Sequence, residues 1–394
     1  MNNKKPADLL LIIVTAALVV IGVFLVYDSS YARASQGQFS HWDPTYFLKR
    51  QLFFAVFGVI MLVIGMKIPY WKLRKLAPYL LAFAIICLVM VMVPHFGVSV
   101  NGARRWLKLG PLLLQPSEFA KLFLIIFLAA YLSNRKQEVR DWKRGLLPLA
   151  VPVAITALLV VKEDMGTAII IAVTSLVMVY MAGAKSQHIM AVVGIFLVVG
   201  IVFIAMEPYR VSRLMVFMDP FKDARGSGYQ VCHGLIAMGS GGPLGVGLCE
   251  GREKLFYLPA EHTDFIFAVL GEEAGLVGTS ILAFLFLAFA FRGFQVAFAT
   301  KDLFGKLIAG GISVMIGGQA LLNMCVVTSS VPATGVPLPF ISYGGSSLAL
   351  NLLCVGVLLG VSQYPMKPAE SGGNEDSVDR RGNRRTRLSG PEYR

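Results

Sequence analysis

The sequence predicts an all-α polytopic membrane protein with about ten transmembrane helices and a long extracellular loop between helices 7 and 8. Three observations carry that expectation. The chain has 394 residues and is 56% hydrophobic. Only 15% of it is charged, against about 25% in soluble domains. Apolar runs near the length needed to cross a bilayer core, about 20 residues for about 30 Å, recur from one end to the other. In such a chain the net charge of +13 speaks to orientation in a membrane rather than to nucleic acid.

The first span is expected at 8–27. Its basic start and the Ala32-x-Ala34 pattern resemble a secretory signal. The apolar run is too long for one, however, and the pattern lies well beyond it, so the segment reads as an uncleaved helix. A polar, aromatic outer segment, 28–49, follows. Spans at 50–68 and 77–95 are joined by Lys67, Lys72, Arg74 and Lys75. A second outer segment, 96–116, contains GARRWLKLGPLLLQ. Spans at 117–133 and 146–161 flank the basic cluster Arg135–Arg144, and spans at 166–183 and 188–206 flank Lys185.

The longest connection, 207–264, is rich in Gly, Leu, Met and Phe. That is a poor composition for disorder, so it should fold back on the outer surface as short amphipathic pieces. Spans at 265–290 and 305–327 surround Arg292, Lys301 and Lys306. A fourth outer segment at 328–346 leads into the last span, 343–363. Most Lys and Arg thus fall on one side, in short segments, which places both termini in the cytoplasm. The expected organisation is a transmembrane domain over 1–366 and a disordered basic tail over 367–394. Cys87, Cys325 and Cys354 read as apolar packing residues. Cys232 and Cys249 share the longest outer loop, where an oxidising compartment would permit a disulfide.

Charged groups in or beside spans face interior cavities more often than lipid and mark functional paths. Arg104, Arg105, Lys121, Glu163, Asp164, Asp264, Glu272 and Glu273 all fall toward the outer side. Together they suit a substrate with a phosphate end and a hydroxyl to be deprotonated. Each also has a structural reading. Asp264 or Thr263 can cap the helix that starts there. Lys121 lies three residues after Glu118, the spacing of a local ion pair. Arg104-Arg105-Trp106 suits an interfacial anchor. Glu272 and Glu273 can pair with basic groups on a neighbouring helix, and Gly271, Gly275 and Gly278 suit close helix packing. Ser342-Tyr343-Gly344-Gly345 has no P-loop Lys and reads as a turn with backbone N–H groups free at a helix start. No His/Cys cluster has zinc spacing.

NGARRWL (101–107), QPSEFAK (115–121), DMGTA (164–168), DPFKDARGSGYQ (219–230), MGSGGPLGVGL (238–248), YLPAEHTDFIFAVLGEE (257–273) and PLPFISYGGSS (337–347) together resemble the SEDS family of bacterial cell-wall polymerases, the FtsW/RodA type. The likeness runs from the first span to about residue 365. Around GSGGPLGVGL and REKLFYLP it is more similar to the division and sporulation branch. The resemblance implies a ten-helix glycosyltransferase that polymerises lipid II into glycan strands outside the membrane, at the division septum.

It also implies that Asp264 is the catalytic acid of the His262-Thr263-Asp264 motif. Arg104, Arg105, Lys121, Ser342 and Tyr343 would bind the pyrophosphate end, and Asp164, His262, Thr263, Glu272 and Glu273 would support the cavity. The implied partners are a class B penicillin-binding transpeptidase, other division proteins and membrane lipids. No cofactor is implied with certainty, and a divalent cation stays open. A lipid II flippase or a non-catalytic division scaffold are the alternatives. Two positions depart from the family pattern. Glu163 stands where Pro is common, and Cys249-Glu250-Gly251 stands where Gly and Ser are usual.

Overall fold

The computed structural model describes residues 5–37, 40, 42–93, 96–100, 103–109 and 112–364. The tail expected over 367–394 lies outside the described residues. Twelve helices and one small sheet follow in chain order: α1 (Leu9–Gln36), α2 (Tyr46–Lys67), α3 (Tyr70–Met92), β1 (Gly97–Val100), β2 (Ala103–Leu109), β3 (Leu112–Leu114), α4 (Pro116–Asn134), α5 (Leu147–Val161), α6 (Met165–Met181), α7 (Ser186–Ala205), α8 (Pro208–Met218), α9 (Tyr229–Gly241), α10 (Ile266–Ala299), α11 (Leu303–Val327) and α12 (Gly345–Gln363).

Among the described residues, nine helices are at least 18 residues long and apolar enough to cross a membrane, α5 being counted with the helical turn before it as Trp142–Val161, and α6, with 17 residues, is the tenth apolar one. At about 1.5 Å per residue, α6 still spans about 26 Å. The ten sit where the hydropathy placed them. The bundle is centred on α4, α11 and α12, whose apolar windows are 72%, 61% and 83% buried, whereas none of α7's window is. Glycines let α2 and α12 meet backbone to backbone. A Cβ on Gly65 would come within 2.9 Å of the Leu353 carbonyl oxygen, the small-residue packing that lipid-embedded helices use.

α1 is longer than expected. It runs unbroken through Ala32-Arg33-Ala34 to Gln36, with Ala34 fully buried. Its start is fixed by Asp8, which accepts from Leu11 N at 3.1 Å and pairs with Arg292 at 2.9 Å. The second outer segment is also more ordered than a loop. It forms an antiparallel three-stranded sheet in the order β1-β2-β3, with Val98 opposite Trp106 and Leu107 opposite Leu114. This sheet carries Arg104 and Arg105 over the ends of α3 and α4. The long loop contains the expected short helices, α8 and α9. Cys232 and Cys249 are free thiols, and Cys232 Sγ donates to the Pro220 carbonyl at 3.0 Å, so the disulfide is not formed.

Gly275 is not a packing residue within a continuous helix. Its φ of 62° and ψ of −158° break α10 into two pieces, a conformation that is essentially restricted to glycine. The segment Gly242–Gly247 lies across the break and satisfies the backbone groups it frees. Val246 N donates to Glu272 O at 3.0 Å and Gly247 N to Glu273 O at 3.2 Å, while Leu276 N reaches Gly242 O at 2.9 Å and Val277 N reaches Pro243 O at 3.1 Å. This pairing accounts for MGSGGPLGVGL. Irregular backbone at membrane depth survives only where protein satisfies it. Gly275→Ala is expected to destabilise the protein by about 1–3 kcal/mol from backbone strain alone, and by more because its methyl would overlap Gly245 N and the Pro243 carbonyl. A thermal melt in detergent checks this.

Candidate active site

The site forms where the long loop meets α10. Residues Glu261 to Asp264 have no regular structure of their own, so distant residues hold them. Arg33 on α1 grips the buried Glu261 carboxylate through two contacts, Nε to Oε1 at 2.7 Å and Nη2 to Oε2 at 2.9 Å. Tyr343 N donates to the His262 carbonyl at 2.9 Å. The Ser342 hydroxyl donates to the Thr263 carbonyl at 2.6 Å and accepts from Leu338 N at 2.8 Å. Asn323 Nδ2 donates to both the Asp264 and the Val336 carbonyls, each at 2.8 Å. Three successive carbonyls are thereby turned toward protein donors. Phe47, His262 and Tyr343 pack as one aromatic group, with ring centroids 4.8–5.6 Å apart.

Neither Thr263 nor Asp264 caps α10. Phe265 takes the cap position without a side-chain bond, and the Thr263 hydroxyl donates instead to the Ala260 carbonyl at 3.2 Å. The Asp264 carboxylate has no hydrogen bond among the described residues. Gly335, at φ 71°, lies against it, so that a Cβ there would stand 3.4 Å from Asp264 Oδ2. Asp264 keeps partial access to solvent but is enclosed by packed elements. Burial pushes its carboxyl up to about 6, and the Asp164 charge adds to that rise, while Arg105, Arg213 and His262 pull it back.

Asp164 caps α6, accepting from Thr167 N at 2.9 Å and Thr167 Oγ1 at 2.8 Å, and Arg105 Nη1 lies 3.9 Å from it. Arg105 Nε is enclosed with no partner among the described residues. The Arg104 side chain is exposed, and its backbone N donates to Glu163 Oε2 at 2.9 Å. Glu163, the departure from the family pattern, therefore ties β2 to the α5–α6 turn. Leu88, Val91, Arg104, Arg105, Glu163 and Asp164 are among the residues that line a cleft with both apolar and charged walls. Such a cleft suits an amphiphile with an anionic head.

Lys121 is buried and engaged by protein partners, Glu118 at 2.8 Å and Gln319 Oε1 at 2.6 Å. The Ser347 hydroxyl donates to Glu118 at 3.1 Å, and Gln319 Nε2 donates to the Pro337 carbonyl at 2.9 Å. The i,i+3 ion pair that the spacing suggested is present, and it underpins the loop beside Asp264. Lys121→Met leaves Glu118 buried without its cation and is expected to lower stability by about 3–5 kcal/mol. The comparison that checks this is a thermal melt of the single variant against Lys121→Met with Glu118→Gln, which should recover part of the loss.

Glu272 and Glu273 do not meet basic groups of a neighbouring helix as expected, and the cation that pairs with Glu273, Lys254, comes from the long loop. Both carboxylates are buried and fold the loop back onto α10. Glu272 accepts from Arg252 N at 2.7 Å and Glu253 N at 3.2 Å. Glu273 accepts from Cys249 N at 3.0 Å and Gly251 N at 3.3 Å, and the buried Lys254 ammonium bridges Glu273 to Asp28 of α1. Those bonds also explain Cys249-Glu250-Gly251, whose backbone rather than side chains meets the carboxylates. Reasoning from sequence missed Arg33, Asp28, Lys254, Asn323 and Arg213. Each is a polar residue in or near an apolar helix or in the long loop, a signal too common to single out. Among the described residues, no three His, Cys, Asp or Glu side chains gather as a metal-ligand set.

The family model FTSW_RODA_SPOVE, described as a cell cycle protein, matches residues 8–367. The chain is 41% identical over 369 residues to stage V sporulation protein E of Bacillus subtilis strain 168, covering 92% of this chain and 99% of the relative. It is 38% identical over 364 residues to the probable peptidoglycan glycosyltransferase FtsW of Geobacter sp. strain M18, covering 92% and 98%. Among solved structures it is similar to a chain from a peptidoglycan synthase complex described as coordinating polymerization and crosslinking, with TM-score 0.75 and 30% identity over 92% of this chain and 99% of that one. The crystal structure of the Thermus thermophilus rod shape determining protein RodA matches with TM-score 0.67 and 28% identity, over 91% and 98%.

Proposed function

The chain belongs to the FtsW/RodA/SpoVE family, and from that premise we propose that it is a peptidoglycan glycosyltransferase that polymerises lipid II on the outer face of the cytoplasmic membrane. The observation that carries this reading is the Asp264 carboxylate. Its backbone is fixed by hydrogen bonds from its neighbours, its carboxylate has no hydrogen bond among the described residues, and the charges of Arg105 and Arg213 act on it. The raised carboxyl is a better base than an ordinary aspartate and is still mostly ionised at neutral pH.

In the proposed reaction Asp264 takes the proton from the acceptor's 4-hydroxyl. The hydroxyl oxygen forms a bond to the donor's anomeric carbon from the face opposite the leaving group. The bond from that carbon to the lipid diphosphate breaks, and its electron pair leaves with the diphosphate. One displacement inverts the centre, so an α-linked donor gives a β-glycosidic bond. Arg104 and Arg105 neutralise charge as it develops on the diphosphate. Lys121 and Ser342 serve this site by fixing its walls. Tyr343 forms the aromatic support beside His262, and Asp164 tunes Asp264.

The names of the relatives support a role in septal wall synthesis, and the synthase complex supports a transpeptidase of the class B penicillin-binding type as partner. Basic residues at the end of α2 (Lys67) and just beyond α4 (Arg135), α6 (Lys185) and α10 (Lys301) support cytoplasmic termini. The decisive experiment is polymerisation of purified lipid II by wild type and Asp264→Asn, with and without chelator. Strand synthesis by wild type that Asp264→Asn lacks supports the reading, whereas an inactive wild type, even with its transpeptidase partner, overturns it. A flippase would also need an opening toward the other side of the membrane.

A further inference from the structure

The turn that carries Asp264 is held from two sides. Asn323 of α11, with Ser342 and Tyr343 of the loop that follows, takes the carbonyls of His262, Thr263 and Asp264. The other side is α1. Arg33 lies in the part of that helix beyond the expected span. Its side chain is 37% exposed, and its Nε and Nη2 both contact the Glu261 carboxylate, which is 1% exposed. Earlier on the same extension, Asp28 meets Lys254 of the long loop. α1 thus grips the long loop at two points, and the second adjoins the catalytic turn. Arg33 belongs to none of the motifs that carry the family resemblance.

A basic residue in the last turn of a helix complements the helix dipole, but that alone does not call for a buried partner. A two-point contact between guanidinium and carboxylate fixes orientation as well as charge. It also keeps Glu261 from a second partner. His262 Nδ1, enclosed and without a hydrogen bond among the described residues, is 3.4 Å from Glu261 Oε1. Without Arg33 the carboxylate would close on that nitrogen, a movement of about 0.5 Å to the usual N–H···O distance. The imidazole is packed against Phe47 and Tyr343, so the pull is taken up by the backbone of the turn rather than by the ring. A catalytic group tolerates a displacement of about 0.5 Å, and about 1 Å of misplacement can cost about a hundredfold in rate.

We propose that Arg33 is a positioning residue for the reaction: by holding both oxygens of Glu261 from α1 it keeps Asp264 within reach of the acceptor hydroxyl, and so sets the rate of the chemical step without touching substrate. The assignment rests on the glycosyltransferase reading and deepens it by joining α1 to the base. Arg33 is not among the described residues that line the cleft beside Asp164, so its loss should leave substrate binding unchanged. The loss of an interaction that serves the transition state alone lowers kcat and kcat/KM equally.

The test measures kcat and KM for lipid II polymerisation, per folded protein and well below the melting temperature. Wild type is compared with Arg33→Gln, Arg33→Lys, Glu261→Gln and the double variant Arg33→Gln with Glu261→Gln. Arg33→Gln is expected to lower kcat about tenfold or more with KM unchanged. Arg33→Lys keeps the charge but not the two-point contact, so it should recover part of the loss. In the Glu261→Gln background, Arg33→Gln should cost little more, because the contact through which it acts is already weakened. Lys49→Ala, which breaks an exposed pair on the same side of the membrane, should match wild type. The assignment is overturned if Arg33→Gln lowers only the melting temperature, if it raises KM and spares kcat, or if it costs the same in both backgrounds. An equal fall in Lys49→Ala overturns it too, as an effect of general charge. If Arg33→Gln does not fold, Arg33→Lys decides: its kcat should lie below wild type with KM unchanged, and a wild-type kcat overturns the assignment. Failure here with a wild type that polymerises leaves the functional reading standing. A wild type that makes no strands, even with its transpeptidase partner, removes that reading and this assignment with it.

Discussion

Replacing Asp264 by asparagine should lower glycan polymerisation by about 10²–10⁴-fold, the usual worth of a positioned general base, while the protein stays folded. Asparagine matches aspartate in shape, and the backbone bonds that Asn323, Ser342 and Tyr343 make to this turn do not involve the carboxylate. No cap is lost, because Asp264 caps nothing. Stability should not fall. The Asp264 carboxyl is raised from 3.8 to about 6, so the folded state holds its proton more tightly than the unfolded state does. The stabilising effect of that proton is complete below 3.8 and is lost as pH rises through about 6. At pH 7 the ionised carboxylate opposes folding, and Asp264→Asn should melt at the same temperature as wild type or higher.

Activity has the opposite dependence. The base must be ionised, so the rate should fall about tenfold per pH unit below about 6 and level off above. Asp164→Asn removes one of the charges that raise Asp264 and should move that limb to lower pH. Near wild-type synthesis by Asp264→Asn would refute the base assignment, and an acid limb unmoved in Asp164→Asn would refute the coupling.

Lys254→Met should be among the most destabilising single changes on the outer side, by about 3–5 kcal/mol, the scale of breaking a buried pair by removing one partner. Lys254 is buried with Asp28 and Glu273, both of them buried as well. Without the ammonium, two carboxylates would face each other away from water. The Lys254 bridge also joins α1 to the loop whose backbone Glu272 and Glu273 hold, so its loss should loosen the approach to Asp264 as well. Lys254→Met with Glu273→Gln should recover part of the melting temperature by removing one stranded charge. Lys49, exposed and paired with Asp43 at 2.7 Å, provides the scale for a surface pair, which is worth about 0–1 kcal/mol. A Lys254→Met shift no larger than that of Lys49→Ala would show that the bridge is dispensable.

Ten apolar spans, their order and the position of Asp264 at the mouth of the eighth were legible in the sequence, because hydropathy is local and each lipid-crossing helix must carry it in consecutive residues. Asp264 was singled out as a candidate base by the resemblance of its motif to the SEDS family, whereas its local pattern alone left a helix cap equally open. The partners of the charges were not legible. The spacing of Glu118 and Lys121 revealed one pair, since a helix brings i and i+3 together. Arg33 and Glu261 are 228 residues apart, and Lys254 and Asp28 are 226 apart. No periodicity links such positions.

The chain by itself determined which segments are apolar enough to enter the membrane and which acid stands at the mouth of the eighth. The tertiary structure alone decided that Gly275 breaks α10, that the glycine-rich Gly242–Gly247 segment closes the break, and that the Thr263 and Asp264 side chains are not caps. The reason is physical. Burial in lipid is a property of each segment alone, whereas hydrogen bonds and ion pairs need two groups within about 3–4 Å, and only the folded bundle sets those distances.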